Sequence, residues 1–262
     1  MKIFDCFIYN GEDLVLDIRL NELQNIVNKF IIVESRFNHQ GKQKKLKFDF
    51  KKFLKFKEKI NYIVIDRFPK NLSNWERENF QRNYITNGLD LADDNDYIMI
   101  SDVDEIPSSK KITKIKNHKF SVFKQKMYYY KFNLLNKTDP NWYGTKVCKK
   151  KFLNSPQWLR NQKVKNYPIW KFYKIKWNII DKGGWHFSFL MNTREIKNKI
   201  ASYAHAEFNN KKFNNSNNIQ NSISKQIDLF DRNIKYEKVK FNNSFPKYIA
   251  SNKNIFKKWI LI

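Results

Sequence analysis

Apolar and polar positions follow two different periodicities in the first third of the chain. Short continuous apolar runs predict buried strands, and apolar side chains spaced three or four residues apart predict helices. In order, the predicted elements are a strand at 3–9, a helix at 13–30, a strand at 30–33, a helix around Phe50, Phe53 and Leu54, and a strand at 62–65. The pattern is therefore β-α-β-α-β.

A third helix has the clearest start signal in the sequence. Ser73 and Glu76 have the spacing of a capping box, and Glu78 and Arg82 are placed for an i,i+4 ion pair. The residues predicted to supply the buried side of this helix are Trp75, Tyr84, Ile85, Leu89 and Ala92. We therefore expect an amphipathic helix that ends near residues 93–96.

A fourth apolar run, at 97–101, leads directly into the acidic segment 102–105. Repeated βα units predict an α/β fold with a mostly parallel, Rossmann-type sheet and helices on both faces. Ligands of such sheets bind at the carboxyl ends of the strands. The acidic segment is therefore predicted to lie at a ligand-binding edge.

The second half of the chain is aromatic and β-prone, with helical periodicity returning towards the end. The β-prone stretches are 120–135, 142–153 and 169–180, the helical ones are 193–208 and 219–234, and a polar loop is predicted at 209–218. We expect one domain over residues 1–262, with a mostly parallel half at 1–107. Residues 108–262 would then form a smaller antiparallel half with C-terminal helices.

Composition indicates a folded globular protein, because 41% of its 262 residues are hydrophobic. No window approaches the roughly 20 apolar residues that span a bilayer, and the N-terminal segment becomes acidic before a signal-peptide pattern is complete. Cys6 and Cys148 lie far apart and outside any CxxC or Cys/His cluster. Together these features predict a cytoplasmic protein with two reduced thiols and no zinc site.

The formal net charge of +26 points to nucleic acid or to an anionic membrane surface as a partner. However, 43 of the 51 basic residues are lysine, and Asn is abundant. This bias is typical of an A/T-rich coding sequence, so we expect no specific nucleic acid. The basic and apolar segment 256–262 predicts either peripheral contact with an anionic membrane or packing on the core.

Asp102 and Asp104 follow the fourth predicted strand at positions i and i+2, so both side chains emerge on the same side of the chain. Two carboxylates this close repel each other unless a cation lies beside them, and hard oxygen ligands suit Mg²⁺ or Mn²⁺. The alternative is a turn capped by its own aspartates. Context decides between these interpretations.

Three motifs supply that context: WERENFQRN at 75–83, SDVDEIP at 101–107 and GGWHFS at 183–188. They occur in one order with FDCF at 4–7, RLNEL at 19–23 and IVES at 32–35. This ordered set resembles glycosyltransferase family 17, and the resemblance runs from about residue 2 to residue 208. It implies a GT-A-like fold, a UDP-sugar donor with UDP-N-acetylglucosamine first, a glycan acceptor and inversion at the anomeric carbon. In such a fold, residues 1–107 would be the nucleotide-sugar donor half and residues 108–262 the acceptor half.

The resemblance also implies that Asp102 and Asp104 match the family's DxD motif and that His186 matches a later metal-ligating histidine. From the residues alone, a histidine between Trp185 and Phe187 is more typical of a core position. The two glycines before Trp185 favour a ligand-facing histidine, because they permit close approach of the backbone. The predicted cofactor is therefore Mn²⁺ or Mg²⁺ on Asp102, Asp104 and His186.

A transfer reaction also needs a carboxylate that takes the proton from the acceptor hydroxyl. Glu105 and Asp181 are the candidates for this base. The alternatives for Glu105 are a residue behind the site that supports the groups in direct contact with the ligand, or a residue that binds the acceptor. The alternative for Asp181 is an ordinary turn residue ahead of Gly183.

Four further residues are predicted to contact the donor. Arg77 and Arg82 are placed to contact the diphosphate or to support the acidic pair, with an ion pair to Glu78 as the alternative for Arg82. By analogy with the fold that the resemblance implies, Glu34 at the end of the second strand is predicted to accept from a uracil or ribose group. Trp185 either stacks on a sugar or fills the core.

Three other functions compete with sugar transfer. The charge and aromatic clusters suit a nucleic-acid-binding protein, although the sequence has no RNP, zinc-finger or helix-turn-helix signature. Paired aspartates also serve metal-dependent phosphoryl or nucleotidyl transferases, although no GxxxxGK[ST] loop is present. The last alternative is an inactive relative that binds carbohydrate. The sequence predicts no oligomeric state.

Overall fold

The computed structural model describes residues 1–165, 168, 170–171 and 174–261. One mixed sheet of eleven strands runs through this part of the chain, in the order β11-β7-β6-β8-β4-β1-β2-β3, with β5, β9 and β10 branching at one side. The strands are β1 (Ile3–Ile8), β2 (Lys29–Ser35), β3 (Ile60–Ile65), β4 (Tyr97–Asp102), β5 (Glu105–Pro107), β6 (Phe120–Tyr129), β7 (Leu134–Asn136), β8 (Asn141–Lys149), β9 (Asn178–Ile180), β10 (Gly184–Ser188) and β11 (Tyr236–Lys238).

The first four strands form the parallel centre of the sheet, and the predicted α/β fold is confirmed. β1 lies between β2 and β4, so that Phe7 is in register with Ile32 on one side and with Ser101 on the other.

The helices are α1 (Asp13–Leu23), α2 (Asn74–Asn83), α3 (Pro156–Asn161), α4 (Thr193–Ile200), α5 (Ser216–Lys225) and α6 (Lys247–Ser251). The helix predicted around Phe50 is a 3₁₀ helix, at Phe50–Lys59.

Both faces of the parallel strands are covered, as the apolar runs require. In β1, Phe7 faces a core that also contains Leu16 and Leu20 of α1. Phe4 and Cys6 face the opposite core, which also contains Cys148, and both cysteines are free, buried thiols. Because successive side chains point to opposite faces, a run that is apolar at every position must be covered on both sides.

Helix α2 begins as the sequence predicts and ends earlier. The Ser73 side chain accepts from the Glu76 N–H and the Glu76 carboxylate accepts from the Ser73 N–H, which completes the capping box. The helix ends at Asn83 and continues as a 3₁₀ helix over Tyr84–Gly88. The prediction that Trp75 is buried is wrong: 47% of this residue is exposed, at the first turn of α2.

The second half adds antiparallel strands to the sheet. β8 pairs with β4 and β6, and β6 also pairs with β7. The predicted β-prone stretch 169–180 contains only β9 within the described residues, and its positions 169, 172 and 173 lie outside them. The predicted loop at 209–218 extends too far, because Asn215 caps α5, which starts at Ser216.

The C-terminal segment packs on the core. Phe245, Ile249 and Phe256 are buried against Val15 and Ile18 of α1, while Ile262 lies outside the described residues. No helix in the described part of the chain is both long enough and apolar enough to cross a membrane.

Candidate active site

A cavity of about 310 Å³ opens at the carboxyl ends of β1 and β4. This is the edge at which the sequence predicts a ligand. Its walls come from the ends of these strands, from α2, from β10 and from α4 with the turn that follows. The charged and histidine side chains that line it are Glu12, His39, Glu78, Arg82, Asp102, Asp104, His186, Lys199 and His205.

Asp102 ends β4 with both carboxylate oxygens held by arginines. Arg82 Nη2 donates to Oδ1 at 2.9 Å, and Arg160 Nη2 donates to Oδ2 at 2.8 Å. Burial opposes ionisation, but Arg160 and Arg82 outweigh it and hold the pKa of Asp102 well below its usual range. Asp102 is therefore a carboxylate fixed in place by two charge-assisted hydrogen bonds.

Asp104 is held more loosely than Asp102. Its Oδ1 lies 3.5 Å from Nε2 of His186, and its Oδ2 lies 3.5 Å from Nζ of Lys199. Burial opposes ionisation here too, but Lys199 and His186 together lower the pKa of Asp104 to about 2. Because neither contact is a short hydrogen bond, the Asp104 oxygens keep lone pairs that a ligand can use.

A buried ion pair between α1 and β1 supports the acidic segment 102–105, which forms a turn after β4 and is called the acidic turn below. Arg19 of α1 is fully buried and binds both oxygens of Asp5 in β1, at 2.6 and 2.7 Å. The same guanidinium donates to the backbone carbonyl oxygens of Asp102, Val103 and Glu105. The conformation of the acidic turn therefore depends on a side chain that does not line the cavity.

The residues at this edge fit a divalent cation in part. Asp104 and His186 present a carboxylate and an imidazole side by side in the cavity, and the buried Nδ1 of His186 has no hydrogen-bond partner in the described residues. Asp102 has arginine partners instead. Within those same residues, no three His, Cys, Asp or Glu side chains form a metal-ligand cluster. The Asp104 carboxylate suits Mg²⁺ or Mn²⁺, since Mg²⁺ is commonly bound by one or two carboxylates plus phosphate oxygens and water.

Neither residue predicted as the catalytic base lines the cavity. Glu105 is fully buried, and its carboxylate accepts from Arg160, from Trp142 Nε1 and from the Asp102 N–H. It positions the arginine that holds Asp102. The Asp181 side chain is 75% exposed, in the turn between β9 and β10, and lies 3.4 Å from Lys124. Neither carboxylate therefore reaches the cavity in this structure.

Glu34 and Arg77 also lie outside the cavity wall, where they organise the loop after β2. The fully buried Glu34 carboxylate accepts from Lys44 Nζ, Tyr62 OH and two backbone N–H groups at Lys47 and Phe48. These four donors use the lone pairs that the prediction assigned to a nucleoside. Arg77 donates to the carbonyl oxygen of His39 at 3.1 Å.

Trp185 and His186 are neighbours in β10 and therefore point to opposite faces of the strand. His186 lines the cavity, whereas Trp185 packs in the core beside Phe187 and Phe245. Its indole N–H donates to the carbonyl oxygen of Ser244, so Trp185 faces away from the predicted donor site. Arg82, in contrast, lines the cavity and supports Asp102, and its predicted pair with Glu78 is present at 2.9 Å.

Several residues in and around the cavity carry no local signal in the sequence. Lys199 and Glu12 are 3.6 Å apart and belong to distant segments. Arg160 reaches Asp102 from α3, behind the cavity wall. At the mouth, the ring of Trp75 meets that of His205 edge-on, with centroids 4.6 Å apart. Only the tertiary fold brings these residues together.

The fold and the cavity define an α/β protein whose ligand site lies at the carboxyl ends of parallel strands and contains a carboxylate-imidazole pair. The sequence profile of glycosyltransferase family 17 matches residues 1–254. The chain therefore belongs to glycosyltransferase family 17, in agreement with the resemblance seen in its motifs.

Individual relatives are more distant. The chain is 28% identical over 117 residues to the β-1,4-mannosyl-glycoprotein 4-β-N-acetylglucosaminyltransferase of Homo sapiens, a match that covers 41% of this chain and 22% of that protein. The Mus musculus enzyme of the same name is 27% identical over 117 residues, which again cover 41% of this chain and 22% of that protein. The chain thus matches about a fifth of the length of these relatives.

Among solved structures, the chain is similar to glucosyl-3-phosphoglycerate synthase of M. tuberculosis. The TM-score is 0.34 at 9% identity, over 95% of this chain and 92% of that one. Membership of glycosyltransferase family 17 favours sugar transfer over the two competing functions, nucleic-acid binding and phosphoryl transfer.

Proposed function

We propose that this glycosyltransferase is inverting and metal-dependent, and that it moves a sugar, N-acetylglucosamine first, from a UDP-sugar to a glycan hydroxyl. The observation that carries the proposal is the Asp104–His186 pair, at 3.5 Å, beside the arginine-held Asp102. The similarity to N-acetylglucosaminyltransferases supports N-acetylglucosamine as the sugar.

The donor's diphosphate would bind at the deep end of the cavity, where cationic and cation-binding groups meet. Asp104 and His186 would hold Mg²⁺ or Mn²⁺, which when bound would neutralise the charge that develops on the leaving diphosphate. Lys199 lies 3.5 Å from Asp104 and is one-fifth exposed, so its ammonium can turn to a phosphate oxygen. Asp102 and its arginines keep the turn in place during the reaction.

Helix α2 would form the acceptor side. Residues three or four apart lie on one face of a helix, so Trp75, Glu78 and Arg82 make a stripe along the cavity wall. Trp75 lies at the exposed end of this stripe, and Arg82 lies at the end that contacts Asp102. An acceptor sugar that stacks on the Trp75 indole would place a hydroxyl next to Glu78.

Glu78 replaces Glu105 and Asp181 as the candidate base. One of its oxygens accepts from Arg82 at 2.9 Å, and the other lies 3.8 Å from Nδ1 of His39. The second oxygen is therefore free of short hydrogen bonds within the described residues and can accept a proton from the acceptor. Glu12 lines the same cavity but lies beside Lys199, at the diphosphate end.

UDP release from UDP-N-acetylglucosamine tests the proposal. With MnCl₂ present we expect slow hydrolysis of the donor, faster release when methyl β-D-mannopyranoside is added as a probe acceptor, and loss of both with EDTA. UDP-glucose and UDP-galactose serve as matched donors. Equal turnover in EDTA would remove the cation from the proposal, and calorimetric binding of UDP with no turnover of any donor would indicate an inactive relative.

A further inference from the structure

A second cavity, of about 400 Å³, lies on the other face of β10. Trp185 lines this cavity and the adjacent His186 lines the first, so the strand separates the two. The volume falls in the range of about 300–1,000 Å³ that holds small molecules in proteins.

The rim of this second cavity is strongly cationic. Five lysines from separate parts of the chain converge on it: Lys110, Lys111, Lys126, Lys182 and Lys247. In the part of the chain that the structure describes, none of their ammonium groups has an ion-pair or hydrogen-bond partner. Like charges gathered around one space repel each other, and an anion among them would relieve that repulsion.

The single carboxylate on the rim does not balance this charge. Glu22 accepts from the Ser109 hydroxyl at 2.6 Å and from the backbone N–H of Lys247 at 3.0 Å. One oxygen is thus used by a hydroxyl and the other by the main chain. The rim therefore carries five lysines and one carboxylate, and both oxygens of that carboxylate already accept hydrogen bonds from the protein.

The floor of the cavity is aromatic and carries hydroxyl groups. Tyr128 and Phe245 pack with ring centroids 5.3 Å apart, next to Trp185. Burial raises the pKa of Tyr128 to about 12, so its hydroxyl keeps its proton. The hydroxyls of Tyr128, Ser108 and Ser244 line the cavity without hydrogen-bond partners in the described residues.

We propose that this second cavity binds an organic phosphate, with the phosphate among the lysines and the organic part on the aromatic floor. Lysine ammonium groups bind phosphate as point charges, and hydroxyls donate to its remaining oxygens. The aromatic floor favours a ligand with a ring or an apolar body over a bare ion. This inference does not depend on the reaction in the first cavity. A soluble sugar phosphate and a phospholipid headgroup both present this chemistry.

Lysine footprinting localises the site in the wild-type protein. The protein is acetylated with and without inorganic pyrophosphate, in EDTA, and the rate at each lysine is read by peptide mass spectrometry. At ten times the dissociation constant, we expect acetylation of the five rim lysines to slow by up to about tenfold. Lys57 and Lys70, which are exposed elsewhere, should be unaffected. Equal slowing at all exposed lysines, or slowing at Lys199 alone, would overturn the proposal.

A pair of matched variants tests the same site by stability. Lys110→Gln/Lys126→Gln and Lys57→Gln/Lys70→Gln remove the same charge from exposed positions. Pyrophosphate should raise the melting temperature of the control variant as in wild type, and by less than half as much in the rim variant. An equal rise in both variants would contradict the proposal.

Vesicles distinguish the two sources of phosphate. If the ligand is a headgroup, the protein sediments with vesicles of phosphatidic acid in phosphatidylcholine, and the rim variant does so less than the control. If pyrophosphate protects the rim but these vesicles do not retain the protein, the ligand is a soluble organic phosphate. Vesicle binding that is the same in both variants, without pyrophosphate protection, would overturn the site.

Discussion

The imidazole of His186 lies 3.5 Å from the carboxylate of Asp104, and main-chain pairing fixes this proximity. β10 runs antiparallel to β5 with His186 in register with Glu105, and the Phe187 N–H donates to the Asp104 carbonyl oxygen at 2.9 Å. The motifs SDVDEIP (101–107) and GGWHFS (183–188) thus contribute the neighbouring strands β5 and β10. Backbone hydrogen bonds therefore hold Asp104 and His186 next to each other in this structure, before any ligand binds.

Asp104 and Asp102 should differ in their effect on cation binding. Asp104→Asn removes the loosely held carboxylate, so we expect loss of Mn²⁺ binding and a fall in transfer of about 100-fold or more. Asp102→Asn should retain Mn²⁺ binding but lower thermal stability, because Arg82 and Arg160 lose their anionic partner. Electron paramagnetic resonance of free Mn²⁺ measures binding in each variant. Equal loss of Mn²⁺ binding in both would show that Asp102 is also a ligand.

Substitutions at Glu78 and Glu105 should have different effects, the first on the rate of transfer and the second on the stability of the fold. Glu78→Gln removes the proposed base, so we expect kcat for transfer to fall by about 10²–10⁴-fold with UDP affinity unchanged. Glu105→Gln breaks the pair between the fully buried Glu105 carboxylate and the largely buried Arg160, and should lower the free energy of unfolding by about 3 kcal/mol. Steady-state kinetics and urea denaturation distinguish the two. Transfer at the wild-type rate in Glu78→Gln would assign the base elsewhere.

Trp75 should affect the acceptor and not the donor. Replacing its exposed indole by Ala removes about 1 kcal/mol of aromatic contact, which is about a fivefold rise in the acceptor KM. UDP affinity and donor hydrolysis should be unchanged, and Trp75→Phe should recover part of the loss. Trp170→Ala is the matched control, because Trp170 is 74% exposed and does not line the cavity. Weaker UDP binding in Trp75→Ala would place the nucleobase on this ring instead.

The buried pair Asp5–Arg19 should be worth far more than a surface pair of similar length. Asp5→Asn leaves a fully buried guanidinium without its anion, so the free energy of unfolding should fall by about 3–5 kcal/mol. Asp66→Asn breaks the exposed Arg36–Asp66 pair, at 2.7 Å, and should cost under about 1 kcal/mol. Urea denaturation compares them. Similar losses would mean that Arg19 finds other partners.

Local signals in the sequence predicted much of the parallel half of the fold. The continuous apolar runs of β1, β2 and β4 and the capping box of α2 reflect interactions within a few residues or burial on both faces. The extent of helix was overestimated because periodicity does not separate α-helix from 3₁₀ helix, as the segment Tyr84–Gly88 demonstrates.

The candidate site was predictable only where neighbours in sequence are also neighbours in space. Asp102 and Asp104 follow one strand, so their shared edge could be inferred. The burial of Glu105 could not be inferred, because its partners Arg160 and Trp142 come from distant elements. Trp75 was mistaken for a core residue because an indole on a capped helix is usually buried, whereas this one forms the wall of a cavity.

The central claim is that Asp104 and His186 bind the cation that receives the donor's diphosphate. A crystal soaked with MnCl₂ and UDP, measured for Mn anomalous scattering, tests this directly. We predict a Mn²⁺ peak within about 2.5 Å of an Asp104 oxygen and of His186 Nε2, with Lys199 turned from Asp104 to a phosphate oxygen. A peak bound to neither residue, or ordered UDP in this cavity with no metal peak, would contradict it.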